Sequence, residues 1–221
     1  MNQAWTGKKA QPIPEIPEKP TWELFCELDE VQQAARTDYL LPVGYNAANA
    51  EIIALDNGIL VCGANYRPVS QGLASYSIAV SRSLDNGFTW EPPRVLYEAG
   101  TFFKDGCWEP SFLRLPDGTL QLYFANESPY RESDEQEISL LESKDNGGTW
   151  TAIPRTVSFR KNHRDGMPVA EIFGNDIVLV IEDNYDGDFK PYTVRTSLSD
   201  NWNIPVCGNS PERNKALVDD V

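Results

Sequence analysis

Apolar residues along this chain fall in short blocks that turn residues cut apart. Ile177-Val178-Leu179-Val180-Ile181 is a continuous apolar run of strand length. Residues 167–173 lead into it through Gly174-Asn175. The same order recurs upstream: residues 109–115, then Pro116-Asp117-Gly118, then 119–124. It recurs again as 49–55, Asp56-Asn57-Gly58 and 59–64. Each unit reads as strand, tight Gly-containing turn, strand. A third strand follows in each, at 76–82, 137–142 and 192–196.

After the third strand comes a repeated box. Ser83-Leu84-Asp85-Asn86-Gly87-Phe88-Thr89-Trp90 fits S-x-D-x-G-x-x-W, and Ser143-Lys144-Asp145-Asn146-Gly147-Gly148-Thr149-Trp150 fits it again. A shortened copy without its glycine lies in Ser197-Leu198-Ser199-Asp200-Asn201-Trp202. Ser and Asp side chains can bond the amides of a tight turn, and Gly supplies a positive φ. The boxes therefore read as scaffold, turning the chain into a fourth strand, with Trp90 and Trp150 expected to be substantially buried between sheets. The predicted fold is all-β: three consecutive four-stranded antiparallel units of the kind that build a β-propeller. Three units fall short of a ring, so the expectation is an incomplete one, completed by blades outside the units seen here.

The repeats place residues 46–221 in the propeller. Residues 1–45 form a separate region: a Pro-rich arm (Pro12, Pro14, Pro17, Pro20), then a helix or a strand of another blade over 22–37.

These boxes resemble the Asp-box repeats of the sialidase-like β-propeller superfamily. Within it, Trp108-Glu109-Pro110, Gly166-Met167-Pro168 and the strand ending in Glu182 resemble the exo-1,5-α-L-arabinanase branch. That resemblance implies an exo-acting, retaining glycoside hydrolase that cleaves terminal sugars from a glycan or an arabinan-like plant polysaccharide. It assigns Glu109 as nucleophile and Glu182 as acid/base, and it implies a secreted or periplasmic location, although residues 1–25 carry no signal-peptide pattern.

Strand direction in such a repeat brings the starts of first strands and the ends of second strands to one face, opposite the boxes. Glu109 and Glu182 meet that face, and paired carboxylates are what glycosidic cleavage needs. Glu182 closes an apolar run, so desolvation is expected to raise its pKa above that of Glu109. Ionised Glu109 needs a donor, for which Trp108, Arg164 and Lys104 are sequence neighbours. Asp105, Trp108, Asn126, Arg164, Asp165 and Asp183 are the expected sugar-binding residues.

Composition narrows the partners. The 221 residues carry 19 Lys and Arg against 33 Asp and Glu, a formal net charge of -14. That excludes the basic footprint of a nucleic-acid binder and disfavours an anionic membrane. No apolar stretch is long enough to span a bilayer. Cys26, Cys62, Cys107 and Cys207 lack zinc-site spacing and read as free buried thiols, and His163 is the one histidine. No metal or other cofactor is implied.

Two other functions fit the same residues. An exo-α-sialidase would bring three arginines together to clamp a carboxylate, but the aligned segment Ala47-Ala48-Asn49-Ala50-Glu51-Ile52 has none. A non-catalytic carbohydrate-binding propeller would hold its carboxylates apart.

Overall fold

The computed structural model describes residues 44–217, and within them the chain is all-β. The Pro-rich arm and the element expected over 22–37 lie outside the described residues. The first sheet is β1 (Tyr45–Ala54), β2 (Leu60–Pro68), β3 (Ser77–Ser83) and β4 (Arg94–Glu98), in that order. The second is β5 (Cys107–Arg114), β6 (Leu120–Asn126), β7 (Glu137–Ser143) and β8 (Arg155–Phe159). The third begins with β9 (Asp165–Phe173), β10 (Asp176–Asp183) and β11 (Lys190–Ser197). All pairings named so far are antiparallel.

The third sheet departs from the expected plan. After β11 the chain first lends β12 (Val206–Cys207) to the second sheet, parallel to β8. Only then does β13 (Arg213–Lys215) return to pair with β11. The shortened box explains this detour. Its Asn201 and Trp202 both have positive φ, and Trp202 is fully buried with its indole N–H donated to Tyr123 Oη at 2.9 Å. The third box thus docks on β6 instead of turning directly into a fourth strand.

The second sheet lies in the middle: β5 contacts both β1 and β9. Every residue of β6 is buried, as expected for a strand covered on both faces. Leu120, Leu122, Tyr123, Phe124, Ile138 and Leu140 form the centre of one continuous core that reaches Val61 on one side and Leu179 on the other. The inner strands start earlier than their apolar pattern indicates, because each contains a bulge: the register shifts between Ala48 and Glu51, between Trp108 and Ser111, and opposite Val180 to Glu182. A bulge breaks the alternation of sides, so the sequence pattern is legible only from the bulge onward.

The two full boxes make the same turn. Ser83 Oγ accepts the Gly87 amide at 2.8 Å, and Asp85 accepts the Thr89 amide at 2.8 Å and its hydroxyl at 2.6 Å. Ser143, Asp145, Gly147 and Thr149 repeat the set at 2.9, 2.7 and 2.8 Å. Burial alone would raise the Asp85 carboxyl, but the Thr89 and Ser83 hydrogen bonds together outweigh it and hold it below the usual range. Trp90 and Trp150 are only partly buried. Trp150 still packs its ring near Phe112. The second box also ties sheets together: the Arg94 guanidinium of β4 donates to the carbonyls of Gly147 and Gly148 at 2.9 and 2.6 Å.

The thiols differ from expectation. Cys107 is buried, Cys62 partly so, and Cys207 is exposed because it faces away from the core on β12, where Val206 points inward; Cys26 lies outside the described residues.

Asp85 is buried and Asp145 exposed, so the same substitution costs different amounts. Asp85→Ala should destabilise the fold by about 1–3 kcal/mol and Asp145→Ala by about 0.5–1 kcal/mol, read by urea unfolding. Because the native Asp85 pKa is depressed from 3.8, its contribution is present above that value and is lost as pH falls through the native one. The wild-type advantage over Asp85→Ala should shrink accordingly at acid pH.

Candidate active site

The three bulges form the site. Asn49, Glu109 and Met167 occupy equivalent positions in β1, β5 and β9, and all three have positive φ, at 50°, 57° and 48°. Non-glycine residues seldom adopt that conformation, and when they do it redirects the side chain out of the strand's alternation. The tripeptides Asn49–Glu51, Glu109–Ser111 and Met167–Val169 line one cleft of about 220 Å³.

Glu109 lies partly buried at its centre. Its Oε2 accepts the Met167 amide of the neighbouring sheet at 2.7 Å. The donor is therefore a backbone N–H. The three side chains expected for this role are engaged elsewhere: Trp108 Nε1 donates to Glu127 at 2.7 Å, Lys104 Nζ to the Arg131 carbonyl at 3.1 Å, and Arg164 to Glu127 at 2.6 Å and Gln136 at 2.7 Å. Desolvation raises the Glu109 pKa; the Met167 amide opposes this, Glu182 adds to it, and Arg164 and Arg67 counter it. The backbone brings Glu182 near Glu109: Gly166 pairs with Glu182 in the ladder, and a Cβ on Gly166 would stand 3.7 Å from Glu109 Oε2.

Glu182 is exposed, contrary to the expectation that its apolar strand desolvates it. The reason is strand periodicity. Ile181 and Asp183 point into the core, whereas Val180 and Glu182 share the opposite, open face of the third sheet. The carboxyl that burial pushes up is Glu109. A second one, unforeseen, is Glu51, whose Oε2 accepts the Phe112 amide at 3.0 Å and whose pKa burial also raises.

The other expected residues are distributed as follows. Trp108 is buried against Tyr76 and Phe103, with the Arg67 guanidinium 5.2 Å over its ring. Asn126 donates to Tyr97 and Ser139 and accepts the Ser128 amide. Asp105 is buried with Oδ1 unpartnered. Arg164 is the one whose side chain remains partly open, at 29% exposure, beside the Glu127 carboxylate.

Asp165 and Asp183 belong to a buried charge cluster. Arg213 bridges both, donating through Nη1 to Asp165 Oδ1 at 2.8 Å and to Asp183 Oδ2 at 2.7 Å. Arg160 adds a 2.7 Å bond to Asp183, and Ser158 a 2.8 Å bond to Asp165. Both aspartates are wholly buried, so their carboxylates face arginines and not the cleft. Arg213 and Arg160 were not foreseen; no motif surrounds either. Arg213 reaches the cluster because the β12 detour folds β13 back onto the third sheet.

No family model matches the chain, and no curated protein is recognisably similar in sequence. Solved structures do share its fold. An α-L-arabinofuranosidase of Fusarium graminearum with an iminosugar inhibitor is 19% identical, with a TM-score of 0.56 over 67% of this chain and 46% of its own. An α-L-arabinanase of Penicillium chrysogenum complexed with arabinobiose is 20% identical over the same shares, with a TM-score of 0.56. A Hadza microbial sialidase is 20% identical, with a TM-score of 0.51 over 72% of this chain and 35% of its own. The matches thus span less than half of those chains.

The buried cluster makes a stability prediction. Arg213→Met leaves the buried Asp165 carboxylate without an arginine and Asp183 with Arg160 alone, and should cost about 3–5 kcal/mol at neutral pH. Asp165 already has a raised pKa from desolvation despite Arg213, so ionising it costs stability as pH rises through the native value. The variant's deficit should therefore narrow on acidification, measured as Tm against pH.

Proposed function

We propose that the chain is the catalytic half of an exo-acting, retaining glycoside hydrolase of the sialidase-like propeller superfamily, each sheet being one blade, with an arabinan-like terminal sugar as substrate. One observation carries the reading. Glu109 sits on a left-handed bulge in the cleft where the innermost strands meet, half desolvated and coupled to a second carboxylate, Glu182.

The chemistry follows from what each oxygen is free to do. Met167 occupies Glu109 Oε2, so Oε1 attacks the anomeric carbon. The bond to the leaving oxygen breaks, and that oxygen takes the proton of Glu182. Water then attacks the glycosyl ester, gives its proton back to Glu182, and releases Glu109 as carboxylate with the sugar's configuration retained. Arg67 and Arg164 favour the ionised form of Glu109 that the first step requires. Arg164, with its open side chain, is the proposed sugar contact among the residues around the cleft; Asp105 and Trp108 shape the wall behind it.

A test uses an activated aryl glycoside. Glu109→Gln should abolish turnover. Glu182→Gln should slow it less, because a good leaving group needs little protonation, and azide should restore part of that loss as a glycosyl azide of retained configuration. Wild-type rates in both variants would replace this reading with a propeller that binds sugar without cleaving it.

The first variant carries a second signature. The native Glu109 pKa is raised from 4.5, so its contribution to stability is full below that value and is lost as pH rises through the native one. Glu109→Gln keeps an acceptor for the Met167 amide without the charge. It should be more stable than wild type at pH 7 and equal to it below about pH 4.5, by thermal unfolding.

A further inference from the structure

The chain makes one kind of sheet-to-sheet junction twice, and at its two ends it leaves the two halves of a third junction open. The donating face is marked by the ladder pair just past each bulge. Glu51 pairs with Gly63, Ser111 with Tyr123, and Val169 with Val180. Gly63 is buried against the Phe112 ring, and Tyr123 is buried against Trp202. The third pair is open, with Val169 61% and Val180 42% exposed, flanked by Met167 at 44% and Phe173 at 75%.

The receiving face shows the mirror pattern. Its pairs are Phe112 with Leu122, Ala170 with Leu179, and Ile52 with Cys62. The first two are buried, whereas Ile52 is 55% exposed.

From this repetition we infer that a second copy of the same chain seats its first sheet on the third sheet of this one, and the reverse, closing a two-fold ring of six sheets. The length supports a copy of equal size: the matched 67% of this chain corresponds to 46% of the arabinanase and arabinofuranosidase chains, so two copies correspond to most of one. The pairing is head-to-tail and closes on itself, so that neither junction face of the described sheets is left open for further growth. It also covers Glu182, which lies on the open face beside Val180. The site is then complete only in the dimer. The inference rests on the propeller reading and not on the hydrolase chemistry, so a mass measurement tests it independently of the activity tests above.

The full 221-residue chain is measured by light scattering and native mass spectrometry. Twice 24.8 kDa is expected. Val180→Asp and Ile52→Asp each place a charge in both junctions and should each weaken the dimer on the order of 100-fold or more. Both positions are exposed in the single chain, so circular dichroism should show each variant folded; Val169→Asp serves as a second substitution on the donating face. Mixing the two variants leaves one junction with two native faces, and dimer mass should reappear. Three results overturn the inference: a wild-type monomer at every concentration, an open ladder of larger species, or a dimer that survives Ile52→Asp and is lost only with Val180→Asp, which would be third sheet against third sheet.

Discussion

A glutamate carboxylate that accepts an amide from the next sheet organises this molecule. It occurs twice, Glu51 to Phe112 and Glu109 to Met167. Each bond crosses between sheets beside a bulge of a sheet's first strand. Bulges leave an amide without a ladder partner. At Met167 the carboxylate supplies that partner and fixes the neighbouring sheet at the same time. The consequence is a pair of acids held partly out of water, both with raised pKa values. The tie that holds the sheets together thus also creates the cleft and its electrostatics.

Away from the cleft, other polar ties serve the same end at different depths. The boxes satisfy their own turns first, and the second then offers carbonyls to Arg94. The shortened box gives up its glycine turn, buries Trp202 against the second sheet and lets Asn201 accept from Gln121. The Arg213 cluster is the most demanding of these ties, because it buries full charges. Such a cluster adds little net stability compared with an apolar core, but it tolerates only one arrangement of the strands that contribute to it. That arrangement is what brings β13 back to β11 after the chain has visited the second sheet.

Much of this was legible in the sequence, and the failures share a cause. Repeats, hairpins and box turns are local, written in Gly placement and in the side chains that cap the turn. Glu109 was singled out as the residue heading an apolar strand, and it does line the cleft, but the bulge that aims it there was not legible. The missed features all depend on what packs from another sheet. Glu182 follows an apolar run, yet its exposure is set by which face of β10 has a neighbour. Asp165 and Asp183 sit at strand ends like binding residues, yet Arg213, distant in sequence, claims them. The donor to Glu109 is a main-chain amide, which no side-chain pattern can announce.

The openness of the third sheet bears on Glu109 itself. Burial favours its neutral form while neighbouring donors and cations favour the ionised one, and those demands conflict. Here the conflict is held in balance by one amide on the third sheet and by Arg164, while Arg67 acts from the first. Glu182, on the open face, pushes the other way. Covering that face would remove water from Glu182 and strengthen its coupling to Glu109 through a lower local dielectric.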